Sequence, residues 1–70
     1  MRNTPDEEIN LLDHLVIEGE ARRIVQAQLV EYLRGDGHSA HAARRLLHDI
    51  DDVLATMQRY RADLRASRRS

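Results

Sequence analysis

Cysteine is absent from this sequence, and proline, glycine and aromatic residues are scarce. Without cysteine the fold has neither a disulfide nor a thiolate zinc site, so its stability must come from packing or association. One proline and three glycines are too few turn residues for an all-β chain, which needs a turn about every ten residues. The composition therefore favours a single all-α domain over residues 1–70.

Long apolar runs are missing as well. No run approaches the roughly 18 residues of a membrane-spanning helix, and no basic-then-apolar leader opens the chain. We therefore expect no membrane span, no signal peptide and a cytoplasmic location. All eleven basic residues are arginine, which we attribute to a GC-rich coding genome rather than to a function.

Two segments have the spacing of amphipathic helices, and the first begins at "TPDEE". Thr4 can act as N-cap, Pro5 suits the first helical position, and Glu7 completes a capping box. This helix is predicted over residues 5–34. Gly19 interrupts it at a cost of about 1 kcal/mol relative to alanine, either as a tolerated weak point or as a close helix crossing. The apolar residues that recur at spacings of three and four are Ile9, Leu12, Leu15, Val16, Ile24, Leu29, Val30 and Leu33.

The second segment follows a glycine-rich break and is predicted to be helical over residues 40–65, with a frayed tail at 66–70. Gly35 or Gly37 supplies the left-handed residue that ends the first helix, and Ser39 is the natural N-cap of the second. Because the connection is only about four residues long, the two helices must be antiparallel. The heptad-like seam comprises Ala43, Leu47, Ile50, Leu54, Met57, Arg61 and Leu64, widened by Leu46 and Val53.

The charges are distributed as an antiparallel hairpin requires. With the turn centred near Gly37, residue i of the first helix lies level with about residue 74 − i of the second. Opposite charges then meet at each level, and each exposed pair contributes at most about 1 kcal/mol, so the pairs fix register more than stability. The predicted groups are Glu31 with Arg44 and Arg45, Arg22 and Arg23 with Asp51 and Asp52, Asp13 with Arg61, and Asp6, Glu7 and Glu8 with Arg65, Arg68 and Arg69.

A single hairpin leaves much of its apolar surface in water. The apolar residues between positions 11 and 17 span most of the circumference of the first helix, and the second helix covers only one side of it. We therefore predict a homodimer, two hairpins pairing into a four-helix bundle. Arg22, Arg23 and Gln26 interrupt the apolar stripe, and such polar positions fix register at a cost in stability. The predicted interface residues are Leu12, Leu15, Val16, Ile24, Leu47, Ile50, Leu54 and Met57.

The histidines are the foremost candidates for chemistry, but their spacing matches no named metal motif. His38 and His41 are three residues apart and His48 follows seven later. We expect His38 in the turn, His41 and His48 on a solvated helix face, and His14 beside the core. No nucleophile lies beside a base and no glycine-rich phosphate loop is present, so the sequence predicts no catalytic residue, no metal site and no cofactor.

The favoured function is a small non-enzymatic interaction module that acts through self-association or through a helix of an unidentified protein partner. The alternative is a nucleic-acid-binding regulator whose second helix contacts phosphates. The net charge of −1 and the acidic start of the first helix weigh against that alternative. Phosphate-driven binding weakens steeply with salt, whereas apolar association persists. The arginines that would carry the alternative are Arg61, Arg65, Arg68 and Arg69.

A further pattern extends over most of the chain. It comprises Glu18–Glu20 (EGE), Gln26, Leu29, Leu33, Asp36–Ser39 (DGHS), Leu46–Leu47, Arg61 and Leu64. This pattern resembles that of a group of short, uncharacterised proteobacterial helical-hairpin proteins, which the resemblance associates with no activity and no site residue. Arg23 stands where that group usually has an apolar residue, and Ser39 stands where aspartate is common. In architecture the chain is also similar to small dimeric RNA-binding helical hairpins, an analogy of shape alone.

Overall fold

The computed structural model describes residues 4–69 as an antiparallel hairpin of two helices. Helix α1 is Pro5–Tyr32 and helix α2 is Gly37–Arg69, and residues 4–69 contain no β-strand. The hairpin measures 51 × 19 × 15 Å, the dimensions of two helices lying side by side. The all-α hairpin predicted from the sequence is confirmed.

The start of α1 follows the predicted capping pattern. Thr4 has extended backbone angles, and its side-chain oxygen accepts a hydrogen bond from the Glu7 backbone N–H at 3.2 Å. Asp6, Glu7 and Glu8 occupy the first turn, where negative charge interacts favourably with the helix dipole. The N-terminal boundary is therefore determined locally by the sequence.

The turn reverses the chain within four residues, and Gly35 is its left-handed residue with φ of 97°. The Asp36 backbone N–H donates to the Leu33 carbonyl at 2.9 Å, which closes the turn. Gly37, the other glycine considered, is the first residue of α2. Because left-handed backbone favours glycine, the conformation at Gly35 ends α1.

Helix α2 begins earlier than predicted. The Asp36 carbonyl already accepts a hydrogen bond from the Ala40 backbone N–H at 2.8 Å, so Ser39 lies inside the helix and the prediction of Ser39 as N-cap is wrong. The reason is that Gly35 alone completes the reversal, which leaves the following residues free to be helical.

Helix α2 also continues farther than expected, to Arg69, whereas the sequence suggested fraying after Leu64. Ion pairs extend across this end of the hairpin, with Arg65 contacting Asp13 at 3.2 Å and Arg68 contacting Asp6 at 2.6 Å. These contacts anchor the last turns of α2 to the first turns of α1. Residue 70 of the predicted tail lies outside the described residues.

The two helices meet along a seam in which both follow alternating spacings of three and four, the heptad pattern of packed helices. Six apolar residues of the seam are buried: Ile9, Leu12, Val16, Ala40, Ala43 and Leu54. The seam of α1 is Ile9, Leu12, Val16, Gly19, Arg23, Gln26, Val30 and Leu33, and that of α2 is Ala40, Ala43, Leu47, Ile50, Leu54, Met57, Arg61 and Leu64.

A buried hydrogen bond fixes the alignment of the helices near the turn. The Gln26 side-chain nitrogen donates to the Ala43 carbonyl at 2.9 Å, and Gln26 is 9% exposed. Its side-chain amide is thus satisfied within an otherwise apolar part of the seam. A one-residue shift of either helix would break this bond and leave the amide unsatisfied, so Gln26 specifies register.

Three ion pairs across the seam join residues that were predicted to pair, whereas Arg65 contacts Asp13 rather than an acid at positions 6–8. Arg23 pairs with Asp51, Arg61 with Asp13 and Arg68 with Asp6. Glu31 instead pairs with Arg34 on its own side of the turn at 3.4 Å, and the part of the chain that the structure describes contains no Glu31 pair with Arg44 or Arg45. Arg34 is only three residues from Glu31 along the chain, so the two side chains meet without reaching across to α2.

Gly19 lies at a close approach of the two helices. A β-carbon built at Gly19 would lie 2.7 Å from Leu54 Cδ2 and 3.3 Å from its Cγ. Leu54 is only 6% exposed, so neighbouring side chains limit its movement. Of the two interpretations of this glycine, the structure supports the close helix crossing.

We expect Gly19→Ala to lower the free energy of unfolding by about 1 kcal/mol. Overpacking a core costs about 1–3 kcal/mol, which exceeds the gain of about 1 kcal/mol in helix propensity. Thermal unfolding at one fixed protein concentration measures the effect. Gly37→Ala is the control, because nothing lies within 4 Å of its added β-carbon. Equal stabilisation by the two substitutions would show that Leu54 moves aside freely.

Candidate interaction surface

One broad side of the hairpin exposes aliphatic side chains of both helices, which together we call the apolar face. Its α1 members lie at spacings of a helical stripe beside the seam, and its α2 members run parallel to them across the groove between the helices. The apolar face consists of Leu11, Leu15, Val25, Leu29, Leu46 and Val53, which are 55, 38, 64, 42, 51 and 57% exposed.

An open groove runs along the centre of the apolar face. It has a volume of about 380 Å³, and Leu15 lies on one wall with Leu46 and Val53 on the other. Ile50 and Met57 of the seam form part of its floor. The groove is therefore a shallow apolar channel between two helices, a shape that accepts the side chains of another helix.

Three charged residues line the same groove at mid-length. Glu18 and Arg22 occupy the α1 stripe between Leu15 and Val25, and Asp49 faces them from α2. Within residues 4–69, none of these three side chains makes an ion pair at 4 Å or less. The apolar face thus carries charges of both signs at its centre, and these charges are not neutralised by ion pairs among the described residues.

The opposite broad side carries the ion pairs between the helices, together with two exposed isoleucines of α1, Ile17 and Ile24. Asp13 accepts from both Arg61 and Arg65, at 3.0 and 3.2 Å, and Arg23 with Asp51 lines a polar groove there. These side chains are 23–46% exposed, so each pair contributes modestly to stability. The two sides of the hairpin therefore differ in that one carries the ion pairs between the helices, whereas the other exposes aliphatic side chains of both helices.

Tyr60 lies seven residues beyond Val53 on α2, at the open end of the apolar face. Its hydroxyl donates a hydrogen bond to Glu8 Oε2 at 3.0 Å. This hydrogen bond, together with the negative charge of Glu8, raises the pKa of Tyr60 above its usual value. The contact ties the two helices together on this side, while the ring remains half exposed.

The predicted interface residues fall into three groups. Leu12, Val16 and Leu54 are buried between the two helices of one hairpin, and Leu47, Ile50 and Met57 are partly buried in the same seam. Leu15 belongs to the apolar face. Ile24 lies nine residues from Leu15, two and a half helical turns, and so projects from the opposite side of α1 with 59% exposure.

Five members of the apolar face were not among the predicted interface residues: Leu11, Val25, Leu29, Leu46 and Val53. A signal for the α1 members exists in the sequence, since positions 11, 15, 18, 22, 25 and 29 alternate between spacings of four and three. Glu18 and Arg22 interrupt the apolar residues of this second heptad line, so apolar periodicity alone does not reveal it.

All four histidines lie on solvated helix surface, so the expectations of His38 in the turn and of His14 beside the core are wrong. His14, His38, His41 and His48 are exposed, and His48 Nε2 lies 3.7 Å from the Asp52 carboxylate one turn away. Among residues 4–69 there is no group of three or more histidine, cysteine or acidic side chains that could hold a metal ion.

The arginines proposed for phosphate binding face acidic residues of α1. Arg61 and Arg65 share Asp13, and Arg68 contacts Asp6. A phosphate would have to compete with these carboxylates, which weighs against the nucleic-acid alternative. The side chain of Arg69 lies outside the described residues.

Neither helix has an 18-residue stretch apolar enough to cross a membrane, a finding that applies to the described part of the chain. Comparison with protein-family models, with curated proteins and with solved structures found no match. The resemblance to short proteobacterial hairpin proteins therefore stays a prediction.

Proposed function

We propose that this protein is a small non-enzymatic interaction module whose apolar face binds a second copy of the chain. The observation that carries the proposal is the exposure of six aliphatic side chains, each 38–64% exposed, on one broad side of the hairpin. A group of large apolar side chains exposed on one side of a protein commonly marks an interaction site. Pairing two hairpins into a four-helix bundle removes these side chains from water on both copies.

The size of this side suits a stable dimer. Its dimensions of 51 × 19 Å correspond to about 970 Å² in projection, above the roughly 800 Å² per partner that a standard interface buries. The hairpin alone has a thin core, because no large side chain among the described residues is fully buried. Association therefore adds apolar burial that the single hairpin lacks.

The charges on the apolar face favour a second copy over an unrelated helix. Glu18, Arg22 and Asp49 place both signs of charge in one groove, so an identical surface can supply an acid to Arg22 and a base to one of the two acids. A partner helix of another protein would need matching charges at the same positions. Self-association needs no second protein to supply these charges, because every copy carries the same groove residues.

Sedimentation equilibrium of the full chain tests the proposal. We expect twice the monomer mass of 8.1 kDa at tens of micromolar, with a melting temperature that rises with protein concentration because association stabilises the folded state. A well-folded monomer at these concentrations, with a melting temperature independent of concentration, would refute self-association.

A further inference from the structure

The α1 part of the apolar face has a symmetric order of side chains. Along this line the residues are Leu11, Leu15, Glu18, Arg22, Val25 and Leu29, at spacings of four, three, four, three and four. Reversing the line about its midpoint exchanges aliphatic residues with aliphatic residues and the acid with the base. The line is thus complementary to an antiparallel copy of itself.

A two-fold axis that lies in the plane of the interface, perpendicular to the helices, places this line antiparallel against the same line of the second copy. The axis crosses α1 at the midpoint of the line, between the acid and the base. All four aliphatic side chains are then covered by aliphatic side chains, and both charges gain a partner. The pairs between copies are Leu11 with Leu29, Leu15 with Val25, and Glu18 with Arg22, each formed twice.

Helix α2 supplies an independent check, because its residues were not used to place the axis. Gly19 meets Leu54 within the hairpin, so the axis crosses α2 close to Val53. Val53 then faces Val53 of the second copy, and Leu46 faces Tyr60, each of them seven residues from Val53. These three are the large apolar side chains of α2 that are at least half exposed, and the axis pairs all of them.

The other face-to-face arrangement pairs the apolar side chains less well. An axis parallel to the helices places α1 against α2 of the second copy, where Arg22 lies level with Asp49. Glu18, however, then lies level with Val53 and Thr56, which offer no positive charge. Each axis leaves one carboxylate of the groove without a base, Glu18 here and Asp49 with the perpendicular axis, where Asp49 lies level with Thr56 and Met57. Because Glu18 here lies against Val53, whereas the perpendicular axis places every aliphatic side chain of the apolar face against an apolar one, the perpendicular axis is the better solution.

We therefore propose that the second copy docks antiparallel, α1 against α1 and α2 against α2, across a two-fold axis that passes beside Val53. This inference rests on the proposed function and specifies how the same apolar face is occupied. Glu18 and Arg22 determine the direction of docking. In a parallel pair each would face its own like charge, which is repulsive.

Charge reversal and mixing test this geometry. In Glu18→Arg homodimers the introduced guanidinium would face Arg22 of the second copy, and in Arg22→Glu homodimers two acids would meet. Each variant alone should therefore dimerise about tenfold more weakly than the natural sequence. When the two variants are mixed in equal amounts, they can form a heterodimer with two charge contacts. One contact joins the natural Glu18 to the natural Arg22. The other joins the two introduced residues, whose charges are also opposite. Native mass spectrometry should then show the heterodimer well above the half that random exchange gives. Contacts within one chain cannot produce this rescue.

Glu20→Arg and Arg44→Glu form the matched control, since both residues are exposed and lie outside the groove of the apolar face. Their mixture has the same net charges, and we expect no heterodimer preference. If the natural chain dimerises but the Glu18 and Arg22 variants mix at random, the antiparallel geometry is wrong and self-association stands. If the natural chain is monomeric, both proposals fail.

Discussion

Leu15→Asp is expected to convert the dimer into a monomer. The substitution places a carboxylate in the middle of the apolar face on both copies and removes two buried leucines. Dimerisation buries the exposed 38% of each Leu15, and each aspartate put in its place would lose water without a partner, which costs several kcal/mol, so the dissociation constant should rise by at least about 100-fold. Sedimentation equilibrium measures the change, and circular dichroism reports whether helix content is retained.

Ile24→Asp is the matched control for this experiment. It introduces the same charge into the same helix, at a site of similar or greater exposure on the opposite side of α1. We expect little change in dimerisation, although Ile24 was among the interface residues predicted from the sequence. Equal weakening by both substitutions would contradict the assignment of the interface to the apolar face.

Gln26→Glu is expected to lower the free energy of unfolding by about 3 kcal/mol at neutral pH. The side chain keeps its size, but an ionised carboxylate cannot donate to the Ala43 carbonyl and is buried beside another acceptor. Gln28→Glu is the control, because Gln28 is exposed on the same helix and its replacement should be nearly neutral. Chemical denaturation at a series of pH values measures both.

The loss caused by Gln26→Glu should disappear in acid. The protonated carboxyl can donate to Ala43, so folding raises the pKa of the introduced glutamate above its value of about 4.3 in the unfolded chain. Below the unfolded-state pKa both states are protonated and the variant matches the natural chain. As pH rises, the unfolded state loses its proton first, and the penalty grows until the folded-state pKa is passed. A penalty that does not change with pH would contradict this account of the bond.

The local features of the fold were predictable because they depend on adjacent residues. The Thr4 cap, the glycine turn and the heptad seam of α2 each follow from short sequence patterns. The start of α2 was missed because a serine inside a helix and a serine at its cap look alike in sequence. Which glycine takes the left-handed conformation was likewise open until the structure placed it at Gly35.

The orientation of α1 was harder to predict, since its seam does not follow its most apolar residues. The seam includes Gly19, Arg23 and Gln26, whereas Leu15 and Val25 lie beside it. Non-apolar residues can occupy a seam only when the facing helix accommodates them. Leu54 fills the space at Gly19, Asp51 pairs with Arg23, and Ala43 leaves its carbonyl accessible to Gln26. Sequence periodicity within one helix contains none of this information.

The position of the turn at Gly35 also sets an order of folding. The contact between Gln26 and Ala43 spans 17 residues, whereas that between Asp6 and Arg68 spans 62. Closing the longer segment directly costs about 1 kcal/mol more in chain entropy, so contacts near the turn have the lower entropic barrier. The hairpin should therefore form from the turn toward its open end and come apart in the reverse direction, with the Gln26 hydrogen bond among the first contacts made and the last lost.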